Sequence, residues 1–144
     1  GLTGDALVVE MTESALAADT EGALASLTRL SELGVQIAID DFGTGYASLD
    51  YLRRFSMAHQ LKIDRSFVAD LDSGRARDQA IVSASLVLAR DLGFVSVAEG
   101  VETEGQRAVL TAMGCTLAQG YLYCPPLPAA ELEQWMRQVL ATKT

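Results

Sequence analysis

A chain of 144 residues, 49% of them hydrophobic, is long enough for one compact domain with a core and too short for two ordinary ones. Its 19 acidic residues outnumber its 11 basic ones, and the net charge of -8 excludes the basic face with which proteins hold long nucleic acids. Because no apolar run reaches the ~20 residues that span a bilayer, we expect a cytoplasmic segment without membrane contact. Two cysteines are too few for a disulfide framework and are not spaced like a zinc pair, so Cys115 and Cys124 are expected to be free thiols.

Short apolar runs alternate with longer amphipathic segments along the chain, which is the pattern of βα units that carry a parallel sheet. The predicted strands are Ala6–Met11, Val35–Asp40, Gln60–Asp64, Phe94–Glu99 and the segment TLAQG at 116–120. The sequence therefore predicts an α/β fold with about five βα units.

The predicted helices lie between these strands and after the last one. The first helix ends at Gly34, and its apolar stripe consists of Leu24, Leu27, Leu30 and Leu33. The others are a short piece at 51–54, a long helix over 77–92, a helix over 104–113 and a last helix over 129–140. The expected buried face of the long helix is Ile81, Val82, Leu88, Ala89 and Leu92. In the last helix, Trp135 and Met136 are expected to pack onto the body of the domain.

Every predicted strand carries a polar or ionisable residue at or near its carboxyl end. These residues are Glu10, Asp40, Lys62, Glu99 and Gln119. The carboxyl ends of parallel strands lie along one rim, and strand alternation places each polar group on a face that its strand otherwise fills with apolar atoms. A carboxylate in such a place is costly unless it is paired or bound to a cation. The pattern therefore predicts a cation site at this rim.

The residue types at the rim suggest which cation and which chemistry. Glu10, Asp40 and Asp41 offer the hard oxygen ligands that suit Mg²⁺ or Mn²⁺. Adjacent strand residues point in different directions, which would let one aspartate bridge two ions while the other binds one. Two ions about 3.5–4 Å apart suit in-line phosphoryl displacement. Lys62 would orient water or stabilise developing charge, and Glu99 would be a further ligand or a general base.

Several of these residues also have plainer interpretations. A single acidic residue at a strand end is more often a helix cap or a solvated loop residue than a ligand. Turn or cap positions would equally suit Glu13, Ser14, Thr44 and Thr103, and Gly43 and Gly45 would suit a tight turn. The coincidence of polar residues at all the predicted strand ends favours a site.

Segments in order along the chain resemble one known family. They are VVEMTES at 8–14, IAIDDFGTGYASL at 37–49, LKIDRSFV at 61–68, VAEGVETEGQ at 97–106 and AQGYLY at 118–123. Together they resemble the EAL domain, a phosphodiesterase that hydrolyses cyclic di-GMP. The resemblance covers nearly the whole chain and implies a (β/α)₈ TIM-like barrel that uses two Mg²⁺ or Mn²⁺ ions and opens the cyclic dinucleotide to linear pGpG.

The resemblance also implies a role for each matching residue. Glu10 and Asp40 resemble direct metal ligands, and Asp41 resembles a ligand of the second ion. Lys62 resembles the residue that contacts the catalytic water, and Glu99 an acidic residue that serves as ligand or base.

Around this centre, Glu102 and Gln119 resemble groups that support the ligands or orient water. Glu13 resembles the anchor of a mobile loop whose first residues are Phe42, Gly43, Thr44 and Gly45. In the family this loop links the site to a dimer interface. A homodimer through the region after Asp41 is therefore expected.

A complete (βα)₈ barrel needs roughly 250 residues. Residues 1–144 are therefore expected to be the C-terminal part of a single EAL domain, an incomplete barrel of about five βα units. The resemblance implies that a Glu-Ala-Leu strand and an asparagine-bearing strand supply further ligands. No Glu-Ala-Leu tripeptide occurs in this sequence, so hydrolysis is expected to need residues that it does not contain.

Some of these features also occur in proteins with other functions. A catalytically inactive EAL-type domain would bind cyclic di-GMP or a protein partner without cleavage. A receiver domain of the response-regulator type also has an acidic pair and a lysine at strand ends, but in another order along the chain. The DFG tripeptide at 41–43 occurs in kinases, but the glycine-rich loop of a kinase is absent from this sequence.

Overall fold

The computed structural model describes residues 1, 3–12, 15, 20–44, 52 and 54–141. Within these ranges the strands are β1 (Val8–Thr12), β2 (Gln36–Phe42), β3 (Gln60–Ile63), β4 (Val95–Ala98) and β5 (Leu117–Ala118). The α-helices in the same ranges are α1 (Thr20–Glu32), α2 (Arg65–Val68), α3 (Ala76–Leu92), α4 (Glu104–Ala112) and α5 (Ala129–Ala141). Short 3₁₀ turns occupy Gly4–Ala6 and Leu71–Ser73.

The strands form one parallel sheet in strict chain order, β1-β2-β3-β4-β5. Crossovers between parallel strands are right-handed, so a sheet that never reverses its strand order carries its helices on one face. This is the arrangement of a βα barrel and not of a doubly wound sheet. The predicted α/β fold with a barrel-like run of βα units is confirmed.

Apolar side chains form two clusters against the sheet. The first lies under α1 and the loop before β3, and its most buried members include Leu27, Ile37, Ile39, Leu52, Phe55 and Leu61. The second lies among α2, α3 and α4 and includes Ile63, Val68, Leu71, Val82, Val101 and Leu110. These clusters pack the helices against the strands, whereas the carboxyl ends of the strands carry polar residues.

Strand ends differ from the predicted ones by one or two residues. Strand β2 continues through Asp41 and Phe42, and β3 ends at Ile63. The difference at β3 has a local cause, because Asp64 caps α2 by accepting the backbone N–H of Ser66 at 2.9 Å. Helix α2 is a single turn, too short for a periodic apolar pattern to reveal it.

The helix ends were predicted more closely than the helix faces. Gly34, Gly93 and Gly114 all have left-handed φ and follow helices, as expected. Leu33 was wrongly placed in the α1 stripe, since the helix ends at Glu32 and leaves Leu33 73% exposed.

The expected face of α3 was correct at its centre and wrong at its end. Val82 and Ala89 are buried, and Ile81 and Leu88 are partly buried. Leu92, in the last turn, is 37% exposed. Ser85 and Leu86 are buried residues of this face that the sequence pattern did not indicate.

Helix α5 packs less closely than expected. Trp135 is partly buried, but Met136 is 49% exposed, and no residue of the described helix Ala129–Ala141 is buried. Leu132, Met136 and Leu140 follow one another at intervals of four residues and leave an apolar stripe at the surface.

The remaining expectations concern cysteine and membranes. Cys115 and Cys124 are free thiols, as predicted. Among the residues that the structure describes, no helix combines the length and the apolar character needed to traverse a bilayer.

Candidate active site

Lys62 lies at the centre of the polar strand ends. Its side chain, on β3, is 4% exposed. Lys62 Nζ lies 2.8 Å from Glu10 Oε2, 3.0 Å from Asp40 Oδ1 and 2.7 Å from Glu99 Oε1. Glu10 belongs to β1, Asp40 to β2, and Glu99 follows β4 directly. The side chains that the strand pattern placed at one rim therefore meet around a single ammonium group.

Opposing effects determine the charge of Lys62. Burial of the ammonium acts to lower its pKa, but the hydrogen bonds to Glu10, Glu99 and Asp40 outweigh burial and raise the pKa above its usual value. Lys62 is therefore a fixed cation at neutral pH and cannot serve as a proton acceptor there.

For Glu99, in contrast to Lys62, the effect of burial on the pKa outweighs the effect of the ion pair. Its burial, together with the negative charges of Asp40 and Glu10, raises the pKa of the carboxyl, although Lys62 acts to lower it. Gln119 Nε2 donates to Glu99 Oε1 at 2.9 Å and helps to orient the group. A carboxylate with a raised pKa at the edge of a site is suited to accept a proton.

Strand β2 bulges where it carries the adjacent aspartates. In the pairing of β2 with β3, Ile39 lies opposite Leu61 and Phe42 opposite Ile63, so Asp40 and Asp41 together face Lys62. Two residues opposite one are the mark of a β-bulge. Asp41 has a φ of 54°, and its N–H donates to Asp40 Oδ1 at 3.0 Å.

The bulge corrects the simple alternation used in the sequence analysis. In a regular strand, Asp40 and Asp41 would point to opposite faces. Here, carboxylate oxygens of Asp40, Asp41 and Glu99 all lie within 4.8 Å of one another. Partial burial and the neighbouring carboxylates Asp40 and Asp64 raise the pKa of Asp41, against the effect of Lys62.

This donor set fits a hard divalent cation. The grouped ligand atoms are carboxylate oxygens from Asp40, Asp41 and Glu99. Oxygen ligands of this kind suit Mg²⁺, Mn²⁺ or Ca²⁺ and not the softer metals. A cation bound here would compensate the neighbouring negative charges of Asp40 and Asp41.

The other predicted site residues lie around this cluster. Glu102 is exposed, and it lines a separate cavity of about 290 Å³ together with Arg65, Ser66 and Gln106. Its expected role near the ligands stays a prediction.

The loop after Asp41 is described only at its start. Thr44 bonds back to Asp41 O through both its N–H (3.2 Å) and its Oγ1 (2.8 Å), which is an ordinary tight turn. Gly43, with a φ of 94°, packs against Phe67, and Phe42 ends β2. Glu13 and Gly45 lie outside the described residues.

Two residues near the site were missed by sequence reasoning. Asp64 is one of the acidic neighbours that raise the pKa of Asp41, and it caps α2 by accepting the N–H of Ser66. An aspartate just before a short helical segment is an N-cap signal, and this could have located it. Gln106 completes a capping box with Thr103, whose cap role was anticipated; a threonine followed three residues later by glutamine is the sequence signature of that motif.

Comparison with known proteins gives a consistent result. The family model described as "EAL domain" matches residues 1–126. Over 137 residues the chain is 47% identical to the cyclic di-GMP phosphodiesterase NbdA of Pseudomonas aeruginosa, covering 95% of this chain and 17% of that protein. It is 50% identical over 126 residues to the bifunctional diguanylate cyclase/cyclic di-GMP phosphodiesterase MucR of the same organism, covering 88% and 18%.

Solved structures agree with the sequence matches. The phosphodiesterase PaMucR in complex with c-di-GMP superimposes with a TM-score of 0.85 at 49% identity, over 91% of this chain and 52% of that one. A manganese and cyclic di-GMP complex of Klebsiella pneumoniae BlrP1 superimposes with a TM-score of 0.80 at 36% identity, over 87% and 31%. The chain thus spans about half of the first structure and under a fifth of the curated relatives named above.

Proposed function

The chain belongs to the EAL domain family, and from that premise we propose that it is the C-terminal part of a domain that hydrolyses cyclic di-GMP to linear pGpG with Mg²⁺ or Mn²⁺. The observation that carries the proposal is the group of carboxylates from neighbouring parallel strands around Lys62. Relatives named as cyclic di-GMP phosphodiesterases, and a relative solved with manganese, support the choice of reaction and cation.

The residues that would hold the ions are Asp40, Asp41 and Glu10. When bound, divalent cations neutralise phosphate oxygens and lower the pKa of water, which favours attack on phosphorus. In a protein with a net charge of -8, these cations would also allow a dianionic substrate to approach.

Side chains of this chain would supply charge stabilisation, proton transfer and orientation of the base. Lys62 supplies a fixed positive charge at the rim, where charge develops on the transferring phosphoryl group. Glu99, with its raised pKa, accepts the proton of the attacking water. Gln119 holds Glu99 in orientation through its 2.9 Å hydrogen bond.

We propose that residues outside this sequence complete the barrel and are needed for turnover. The matched PaMucR structure is about twice as long as the aligned region, and β1 and β5 are the outer strands of the described sheet. We further propose a cytoplasmic homodimer that uses the region after Asp41, with Glu13 as the anchor of that loop; light scattering of the parent protein tests the dimer.

The test of function is hydrolysis of cyclic di-GMP by the parent protein that contains this chain. With Mn²⁺ or Mg²⁺, we expect linear pGpG as the product, identified by chromatography and mass spectrometry, and no turnover after addition of EDTA. The variant Asp40→Asn should lose turnover and keep its fold.

Asp91→Asn is the matched control. Asp91 is 61% exposed in the last turn of α3, at the opposite end of the βα unit from the site, so this variant should hydrolyse at the wild-type rate. Retained turnover in Asp40→Asn would refute the site. Binding of cyclic di-GMP by the wild type without cleavage would support the inactive binding domain instead.

A further inference from the structure

A buried glutamine holds the loop that joins β4 to α4, residues 99–103. Gln106 is 3% exposed. Its Oε1 accepts the backbone N–H of Glu102 at 2.7 Å and that of Thr103 at 3.0 Å, while its Nε2 donates to Ala69 O at 2.9 Å. One side chain therefore bonds the loop after β4 to the segment that follows α2.

The start of α4 depends on this side chain. The first N–H groups of a helix have no partner within the helix and need an acceptor from elsewhere. Gln106 provides one, and Thr103 returns the bond by accepting the Gln106 N–H at 3.0 Å. Thr103 Oγ1 also donates to Asp72 Oδ2 at 2.7 Å, which adds a second tie to the 3₁₀ turn. Without Gln106, the backbone N–H groups of Glu102 and Thr103, whose hydrogen bonds are partly buried, would lose their acceptor.

The loop held by Gln106 begins with Glu99, and contacts restrict the backbone between Glu99 and the residues that Gln106 binds. Glu99 N donates to Ile63 O at 3.1 Å. Gly100 has a φ of 65° and lies so close to Arg65 that a Cβ on it would meet Arg65 Cβ at 2.6 Å. Val101 is fully buried. The backbone between Glu99 and the N–H groups that Gln106 holds therefore has little room to adjust.

We propose that Gln106 is a positioning residue for the hydrolysis proposed above. Its side chain does not contact the reacting atoms. It holds the loop that begins with Glu99, whose Oε1 lies 2.7 Å from Lys62 Nζ. The catalytic consequence rests on the proposed function, whereas the placement of the loop rests on the hydrogen bonds alone.

Two variants of Gln106 test the proposal in the parent protein. Gln106→Met keeps the length of the side chain and removes all its hydrogen bonds, so kcat should fall by about 10- to 100-fold while KM stays within about twofold. Gln106→Glu keeps the acceptor for Glu102 and Thr103 and favours the N-terminus of α4 by its charge, but it replaces the donor to Ala69 O with a carboxylate oxygen and so loses the bond to the segment after α2. We expect Gln106→Glu to keep a higher kcat than Gln106→Met, because only one of the two connections is lost.

Ser96→Ala is the matched control. Ser96 is also 3% exposed and lies on β4, but toward the other end of the strand, where its Oγ bonds to Thr116 Oγ1 at 3.1 Å and to Thr116 N at 3.0 Å. This variant loses buried hydrogen bonds of the same kind and should keep kcat. Amide hydrogen exchange should accelerate at 99–103 in Gln106→Met and stay unchanged there in Ser96→Ala.

Each outcome decides the proposal. Wild-type kcat in Gln106→Met, an equal loss of kcat in Ser96→Ala, or no recovery in Gln106→Glu would overturn it. If Gln106→Met does not fold, Gln106→Asn, whose amide is too short to reach both partners, replaces it with the same expected loss. If the wild type itself does not cleave cyclic di-GMP, the proposed function fails, and hydrogen exchange at 99–103 alone decides whether Gln106 positions Glu99.

Discussion

The buried ammonium of Lys62 compensates the partly buried carboxylates of Asp40 and Glu99 and the more exposed carboxylate of Glu10. Removal of one partner from a buried ion pair is far more damaging than removal from an exposed pair, because the remaining charges stay desolvated. Lys62 therefore stabilises the rim of the sheet as well as serving the proposed reaction.

The first prediction follows from this burial. Lys62→Met should lower the free energy of unfolding by about 3 kcal/mol, measured by urea titration without divalent cations. Addition of Mn²⁺ should restore part of the loss, since a cation can compensate the same carboxylates. Arg75→Met is the control: its ion pair with Asp70 is exposed on both sides, and it should cost about 1 kcal/mol or less. Equal losses in the two variants would contradict the prediction.

Asp64 gives a prediction about pH. Burial acts to raise its pKa, but hydrogen bonds from Ser66 and from the backbone of Arg65 lower it below the usual value. A carboxyl whose pKa is lower in the folded state stabilises the protein above its unfolded pKa of about 3.9, and this contribution is lost as the pH falls through the folded pKa.

Asp64→Ala should therefore lower the free energy of unfolding by about 1 kcal/mol at pH 7, and the difference from the wild type should shrink below about pH 4. Denaturant titrations at a series of pH values measure it. Asp70→Ala is the comparison, because Asp70 precedes the 3₁₀ turn without a side-chain cap bond and should show no such cap contribution. A pH-independent difference for Asp64→Ala would rule out the cap as its cause.

At the level of elements, the sequence was informative where its pattern is regular. Apolar runs located β1 to β5 because buried parallel strands are continuously apolar. Glycines located the helix ends before β2, β4 and β5 because the left-handed residue after a helix favours glycine. The bulge in β2 escaped prediction, because alternation assumes an unbroken pleat and Asp41 adopts a φ of 54° that no local pattern indicates. The clustering of Glu10, Asp40, Lys62 and Glu99 nevertheless followed from strand ends alone.

Packing at the end of β5 gives the third prediction. A Cβ on Gly120 would lie 2.2 Å from Val101 O and 2.3 Å from Val101 N. Val101 N donates to Gln119 O at 3.0 Å, so a shift there would also move the Gln119 side chain away from Glu99. Gly120→Ala should cost about 2–3 kcal/mol of stability and lower the hydrolysis rate of the parent protein.

Gly74→Ala is the control for Gly120→Ala. Thermal unfolding and the hydrolysis rate of the parent protein are measured for both variants. Gly74 has open space around it, so a methyl group there incurs only the strain of a φ of 78°, about 1 kcal/mol. The packing account would fail if Gly120→Ala were as stable as Gly74→Ala and equally active.

Over the whole molecule, the acidic rim and the net charge of -8 lead us to expect that divalent cations stabilise the folded state. A ligand that binds only the folded state stabilises it by about 2.7 kcal/mol at a concentration 100 times its Kd. Mn²⁺ should therefore raise the melting temperature of the parent protein, and EDTA should reverse the rise. Asp40→Asn should abolish the response and Asp91→Asn should keep it; a response unchanged in Asp40→Asn would place the cation elsewhere.

The strict chain order of the sheet has a consequence for how the molecule is assembled. Each strand finds its partner in the very next βα unit, so the contacts that build the sheet are short in sequence. Pairing of adjacent units closes shorter loops than pairing of strands that are distant in the sequence, although parallel pairing is slower than helix formation, so a nascent chain can pair each unit with the preceding one. A protein arranged in this way need not wait for its far end before its early units begin to fold.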